Sequence, residues 1–321
     1  MARTRYATDR GLVARMGATM FMLGLVFTAF IVALVFLLFR YSSISTGGII
    51  FIAVLFGAAM TFGSYFYSDK IALSASGARL VSPQDGPDAA RLHAIVDRIC
   101  ALADMPKPRV AIAPTDMPNA FATGRNSKAA VVCATQGVLN RLDNEELEGV
   151  LAHEMSHVAH KDVAVMTIAS FLGIIAALLV RFAFYSELFG GGGRGRSSNN
   201  NNQGGFPIIL AIMAVSVVVY AISFLLIRML SRYRELSADR SGALLTGNPS
   251  ALASALQKVS GTIAMIPTRD LRKAETLNAF YFAPALSARK GEFSLAGVFS
   301  THPSLERRLR ELDKVAKQLG R

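Results

Sequence analysis

Asp143-Asn-Glu-Glu146-Leu-Glu-Gly-Val-Leu-Ala-His153-Glu154-Met-Ser-His157-Val-Ala-His160-Lys-Asp-Val163 is the stretch on which the fold turns. Its opening reads as a capping box. Asp143 caps a helix end, Glu146 reaches back, and Leu142 and Leu147 flank them as a hydrophobic staple. The spacing predicts a helix from Asn144 to about His160. His153 and His157 then stand about 400° apart around that helix, on one face within about 40°. Both imidazoles can reach one metal ion, and Glu154, about 100° further round, is left to hold water and take its proton. This is the physical content of an HExxH pattern, for which zinc is the fitting ion. From Val163 the sequence carries no charge until Arg181, so a helix with metal-binding side chains leads directly into an apolar one.

Working outward, four uncharged runs appear. They are Met16–Phe39, Tyr41–Ser68 with its apolar core at Ile49–Tyr67, Val163–Val180 continuing past Arg181 to Tyr185, and Phe206–Ile227. A bilayer core of roughly 30 Å needs about 20 apolar residues in a helix. All four qualify, and they predict two membrane hairpins, over 16–67 (spans 16–39 and 47–67) and 163–228. The second turns through 186–205, a Gly/Asn-rich segment too polar to bury a core, read as a flexible outer loop. A mean hydropathy of +0.39 and only 17% charged residues agree with a chain partly solvated by lipid.

Charge placement sets the expected orientation. Arg3, Arg5, Arg10, Arg15, Lys70, Arg79, Lys161, Arg228, Arg232, Arg234 and Arg240 flank the spans on one side, against Arg40, Arg181, Arg194 and Arg196 on the other. The positive-inside rule makes the first side cytoplasmic. The expected location is the cell (plasma) membrane, multi-pass, with both termini inside. Unpaired Cys100 and Cys133 suit a reducing compartment. The net charge of +12 would otherwise raise nucleic acid as a partner. No nucleic-acid motif accompanies it, and anionic lipid headgroups account for the same charges.

A tail at 1–15, the pieces 69–162 and 229–321, and the two hairpins make up the expected organisation. The two larger pieces share the cytoplasmic face and are expected to form one α+β domain with a small sheet. A helical stripe runs Leu92, Ile95, Val96, Ile99 and Leu102, with His93 beside it read as an exposed histidine. Strands are expected at 109–113, 120–123 and 129–135, and a helix with Pro303 in its first turn, its stripe at Leu305, Leu309, Leu312 and Val315, and its end at Gly320.

Two histidines leave zinc short of a third protein ligand. Val163 stands where a third histidine ten residues after the first would be, so that pattern fails. His160 is one alternative. Topology favours another: the second hairpin returns the chain beside the HExxH helix just past Arg228, where Glu235 stands. Asp239, one turn on, can orient a ligating imidazole through its outer nitrogen.

With these residues in view, the sequence resembles the HtpX-type membrane metalloproteases, relatives of the CAAX prenyl proteases. The resemblance rests on HExxH at 153–157, Glu235-x-x-x-Asp239, Asn119-Ala120-Phe121-Ala122, and Thr301-His302-Pro-Ser304 with Arg308. It implies a zincin-like catalytic domain holding one zinc ion per chain on His153, His157 and Glu235, with Glu154 as catalytic acid and base. It implies an edge strand at Asn119–Ala122 that pairs with substrate, and His302 and Arg308 near the substrate oxyanion, with Arg307 adjacent to the latter. It further implies membrane protein substrates, cut on the cytoplasmic side, in quality control under stress. The Gly/Asn-rich loop departs from the family pattern.

Two other readings fare worse. A CAAX-type protease needs more spans to enclose its chamber. A transporter or metal sensor would carry ionisable groups within its spans, and Arg181 alone does so here.

Overall fold

A computed structural model describes residues 10–41, 55, 57–63, 65–190, 205–265 and 302–320. In chain order the elements are α1 (Arg10–Tyr41), α2 (Ser68–Ser76), β1 (Arg79–Leu80), α3 (Pro87–Ala103), β2 (Arg109–Ala113), β3 (Ala120–Thr123), β4 (Val131–Thr135), α4 (Gln136–Arg141), α5 (Asn144–Ala159), α6 (Asp162–Gly190), α7 (Gly205–Thr246), α8 (Pro249–Met265) and α9 (Leu305–Gln318). The chain is mostly helical, as expected. It divides into a unit of Met1–Met16, Ser64–Val165 and Ser231–Arg321, and a second of Gly17–Gly63 and Met166–Leu230.

Among its described residues the second unit carries large apolar side chains both buried and exposed. Leu23, Phe30, Ile175 and Ala176 are buried, while Phe21, Phe36, Phe62, Ile168 and Val218 are exposed. Large apolar side chains turned outward suit lipid rather than water. Among the described residues two helices are long and apolar enough to cross a membrane, Val13–Ala33 and Leu210–Thr246. The broken pair α5 and α6 makes a third if read as one span. Of the expected second span, 47–67, residues 47–54, 56 and 64 lie outside the described residues, and 57–63 is helical. Most of the expected outer loop also lies outside: α6 continues to Gly190, α7 begins at Gly205, and 191–204 are not described. The tail expected at 1–15 already becomes helical at Arg10.

The first unit is built on a mixed sheet of order β1-β2-β4-β3, with β2 parallel to β4 and the other pairs antiparallel. β1 was not expected. At two residues, both exposed, it is too short to leave a period-two pattern. One sheet face packs Val110, Ala120, Val132 and Ala134 into the main core with Leu92, Val96 and Ile99 of α3 and Leu147, Leu151 and Met155 of α5. The other face packs Ala111, Ala113, Phe121, Val131 and Cys133 against Ala72 of α2. Helices on both faces explain why β4 is buried at every residue, with no alternation.

Several local expectations need correcting. His93 is buried, and its Nε2 meets the Val81 carbonyl at 2.9 Å, because the chain leaving β1 passes over α3. β4 starts at Val131, two residues later than read. Pro303 is not in the first turn of α9. Ser304 caps that helix, with its Oγ accepting from the Arg307 N–H, and Pro303 precedes the cap. The buried stripe of α9 is Arg308, Leu312 and Val315, with Leu305 and Leu309 half-buried.

Candidate active site

The capping box forms as the sequence predicts. Asp143 Oδ1 accepts from Glu146 N–H at 2.9 Å, and Glu146 Oε2 accepts from Asp143 N–H at 3.1 Å. This satisfies two N–H groups that a helix start otherwise leaves open. Leu142 and Leu147 are both buried beside it. With its start pinned and Leu147, Leu151 and Met155 in the core, α5 has no freedom to rotate. Its remaining face carries His153, Glu154 and His157, all buried.

α7 brings Glu235 to these histidines. Glu235 Oε2 lies 3.6 Å from His153 Nε2, and Oε1 lies 3.5 Å from His157 Nε2. His153, His157 and Glu235 each offer one ligand atom, all within 4.8 Å of one another. Two atoms bound at about 2.0–2.1 Å to one tetrahedral ion stand about 3.3–3.4 Å apart. Two imidazole nitrogens and a carboxylate gathered within 4.8 Å are the donor set that zinc takes, and closing by about an ångström brings them to that geometry. His160, the other candidate from the sequence, is not part of this group.

α7 approaches α5 closely here. A Cβ placed on Gly242 would meet the His153 backbone nitrogen at 2.8 Å, so no larger residue fits without parting the two helices. One turn earlier, Asp239 Oδ1 lies 2.9 Å from His153 Nδ1. Asp239 is in turn gripped by Arg308, whose Nε and Nη2 donate at 2.8 and 2.6 Å. Arg308 is 1% exposed, whereas Arg307 is half-buried, so the structure selects Arg308 of the two. Two N–H groups of Arg308 are thus spent on Asp239. His302 Nδ1 lies 3.0 Å from Glu235 Oε2, which brings the C-terminal segment to the same cluster.

The charges follow from these contacts. Burial opposes ionisation of Glu235, but His302, His153 and His157 outweigh it and hold the carboxyl well below its usual range. Asp239 is likewise opposed by burial and pulled to about 2 by Arg308 and His153. Burial lowers His153, and Asp239 with Glu235 more than reverses this, raising it to about 9. Glu154 goes the other way: burial raises it, and the two histidines compensate only in part.

β3 is one of the two edge strands of the sheet and packs on α5. Asn119 and Thr135 are bonded across the β3–β4 ladder. In an antiparallel ladder the bonded pairs alternate, so Ala120 and Ala122 direct their backbone groups away from β4. Ala122 N–H donates to Glu154 Oε2 at 3.2 Å. Phe121 points elsewhere, into the cluster on the far sheet face. Of the expected run, the backbone of Ala122 therefore meets the site and the Phe121 side chain does not.

One participant was missed in the sequence. Asp162 is buried against His157 Nδ1 at 2.5 Å and against Arg234 Nε at 3.0 Å. The available signal was an acidic residue set directly before an apolar run, just past the end of the HExxH helix.

Comparison with known proteins places the chain in a family. Residues 87–316 match Peptidase family M48. Protease HtpX homolog 1 of Streptomyces coelicolor is 54% identical over 318 residues, covering 99% of this chain and 97% of that one. Protease HtpX homolog of Moorella thermoacetica is 47% identical over 318 residues, covering 99% and 98%. A crystal structure of S. mikatae Ste24p aligns with a TM-score of 0.49 at 19% identity, over 95% of this chain and 67% of that one. The family match spans every residue of the cluster, from Ala122 to Arg308, and the apolar helices supply the lipid-facing surface. The chain belongs to peptidase family M48 and is a membrane-associated metalloprotease.

Proposed function

We propose that this chain is a zinc metalloendopeptidase that cuts membrane proteins on the cytoplasmic side. The observation that carries the reading is the convergence of His153, His157 and Glu235 within 4.8 Å of one another, with Glu154 beside them. The three would hold zinc, which when bound supplies Lewis acidity toward water and a peptide carbonyl. Glu154 takes the proton of the attacking water and returns it to the leaving amine. Its raised carboxyl range suits a group that must carry a proton part of the time.

The remaining residues position. Arg308 holds Asp239, and Asp239 holds His153 with Nδ1 protonated, leaving Nε2 for the metal. This supports an orienting role for Arg308 rather than direct contact with a substrate oxyanion. His302, on Glu235, is the residue proposed to face the substrate carbonyl. The outward backbone of Ala120 and Ala122 would pair with an extended substrate strand, with Asn119 closing the start of β3. Such pairing frees Glu154, whose oxygen the Ala122 N–H otherwise occupies.

Membrane substrates are supported by sequence continuity. Glu235 follows closely on Leu230, and His157 closely precedes Met166, the residues at which the apolar unit ends and begins again. The cytoplasmic side is supported by the Lys/Arg distribution. A role in quality control under stress is added by the family resemblance.

The test uses full-length protein in lipid vesicles with a model membrane substrate. Glu154→Gln should retain zinc and lose cleavage, and Glu235→Ala should lose both. Cleavage surviving in the Glu154→Gln variant would overturn the mechanism. The same variant, expressed in cells, should trap natural substrates in the membrane for identification.

A further inference from the structure

Each of the two histidines on α5 is backed by a carboxylate that an arginine holds in place. On His153 the partners are Asp239 and Arg308. On His157 they are Asp162 and Arg234. We propose that Asp162, held by Arg234, is the positioning residue for His157: it fixes Nδ1 as the protonated nitrogen and leaves the Nε2 lone pair for the metal. The proposal rests on the reading of His153, His157 and Glu235 as a metal site.

The path of the chain carries the argument. On an unbroken helix a residue five positions beyond His157 would lie about 140° further round, away from the ring. Instead α5 stops at Ala159, Lys161 adopts a φ of 57°, and α6 restarts at Asp162. A left-handed conformation is unfavourable for any residue with a Cβ, so it persists only where the surroundings impose it. Here it turns the Asp162 carboxylate back onto His157.

The contacts themselves are not those of a helix cap. A capping aspartate accepts from backbone N–H groups of its own first turn. Asp162 instead uses one oxygen, Oδ2, for both His157 and Arg234. Its other oxygen is buried without a hydrogen-bond partner. Arg234 also immediately precedes Glu235 in α7. One ion pair thus ties the break after α5 to the turn that carries the third ligand, and it sets His157 and Glu235 relative to each other.

The test measures zinc affinity of the full-length protein in detergent micelles by competition with a chromophoric chelator. The cobalt(II) absorption spectrum reports ligand geometry in parallel. Asp162→Ala is expected to weaken zinc binding about 10–100-fold and to alter the cobalt(II) bands. Asp162→Asn, which keeps the shape and removes the charge, is expected to fall between it and the wild type. Removing the carboxylate leaves Arg234 without its buried partner and is expected to lower the metal-free unfolding midpoint, so affinities are compared at a temperature where every metal-free variant is folded. A loss of about tenfold or more in a folded variant, with altered cobalt(II) bands, supports the proposal. Wild-type affinity in both variants overturns it, and so does an affinity loss that leaves the cobalt(II) bands as in the wild type. Glu235→Ala separates the two levels of the argument. If that variant binds zinc as the wild type does, the metal-site reading itself fails. If it loses zinc while both Asp162 variants keep it, only the role of Asp162 fails.

Discussion

Arg308 sits among apolar neighbours, in the stripe of α9 between Leu305 and Leu312, and is among the largest fully buried side chains of the described residues. A guanidinium in that position is tolerated only because Asp239 takes two of its N–H groups, and Asp239 in turn is kept ionised by it. Removing one partner leaves an uncompensated buried charge, which costs about 3–5 kcal/mol. Arg308→Ala should therefore lower chemical unfolding stability by about that much, and zinc occupancy with it, because Asp239 no longer has a fixed place on His153. Arg308→Lys should recover little, since a single ammonium cannot reproduce the forked contact. Arg307→Ala should stay within about 0.5 kcal/mol of the wild type, as a residue outside these contacts. Equal losses for the two arginines would contradict the assignment.

Gly242 governs the next scale, where α5 and α7 meet. With a Cβ already at 2.8 Å from the His153 nitrogen and 3.1 Å from the Ala152 carbonyl carbon, Gly242→Ala forces backbone against backbone. Overpacking of this kind costs about 1–3 kcal/mol. Because the displaced helix is the one that carries Glu235, the variant should also bind zinc more weakly, and Gly242→Leu should fail to hold it. Zinc content after gel filtration checks this. The same helix shows what a linear sequence conceals. The capping box at Asp143 and the HExxH face were legible because they lie within one or two turns of a single helix. Glu235 was reachable by topology, since two apolar runs of similar length must return the chain to the face it left. Asp162 and the burial of His93 were not legible. Each depends on a contact made after the chain bends, at Lys161 in one case and beyond β1 in the other. Arg308 could be named only as one of two adjacent arginines, because a charged residue in an apolar stripe looks like an interruption until its buried partner is seen.

At the scale of the whole chain, the distribution of charge makes a claim about compartments. Eleven Lys and Arg flank the expected spans on the side of the cluster, and four on the other. Charges at a membrane face interact with anionic headgroups and with the potential across the bilayer, and both favour keeping the richer side inside. Site-directed thiol labelling can test this without removing the native cysteines. Cys100 and Cys133 are buried, and burial pushes their thiols up to about 11 and about 12, so neither is expected to react at neutral pH. A cysteine placed in the Gly/Asn-rich segment by Ser197→Cys should be modified by a membrane-impermeant maleimide on intact cells. A cysteine at Lys314→Cys, on the exposed face of α9, should be modified only after the membrane is opened. Labelling of the Lys314→Cys protein in intact cells would put the zinc-binding cluster on the outer face. The proposed substrates would then be segments of membrane proteins outside the cell rather than within it.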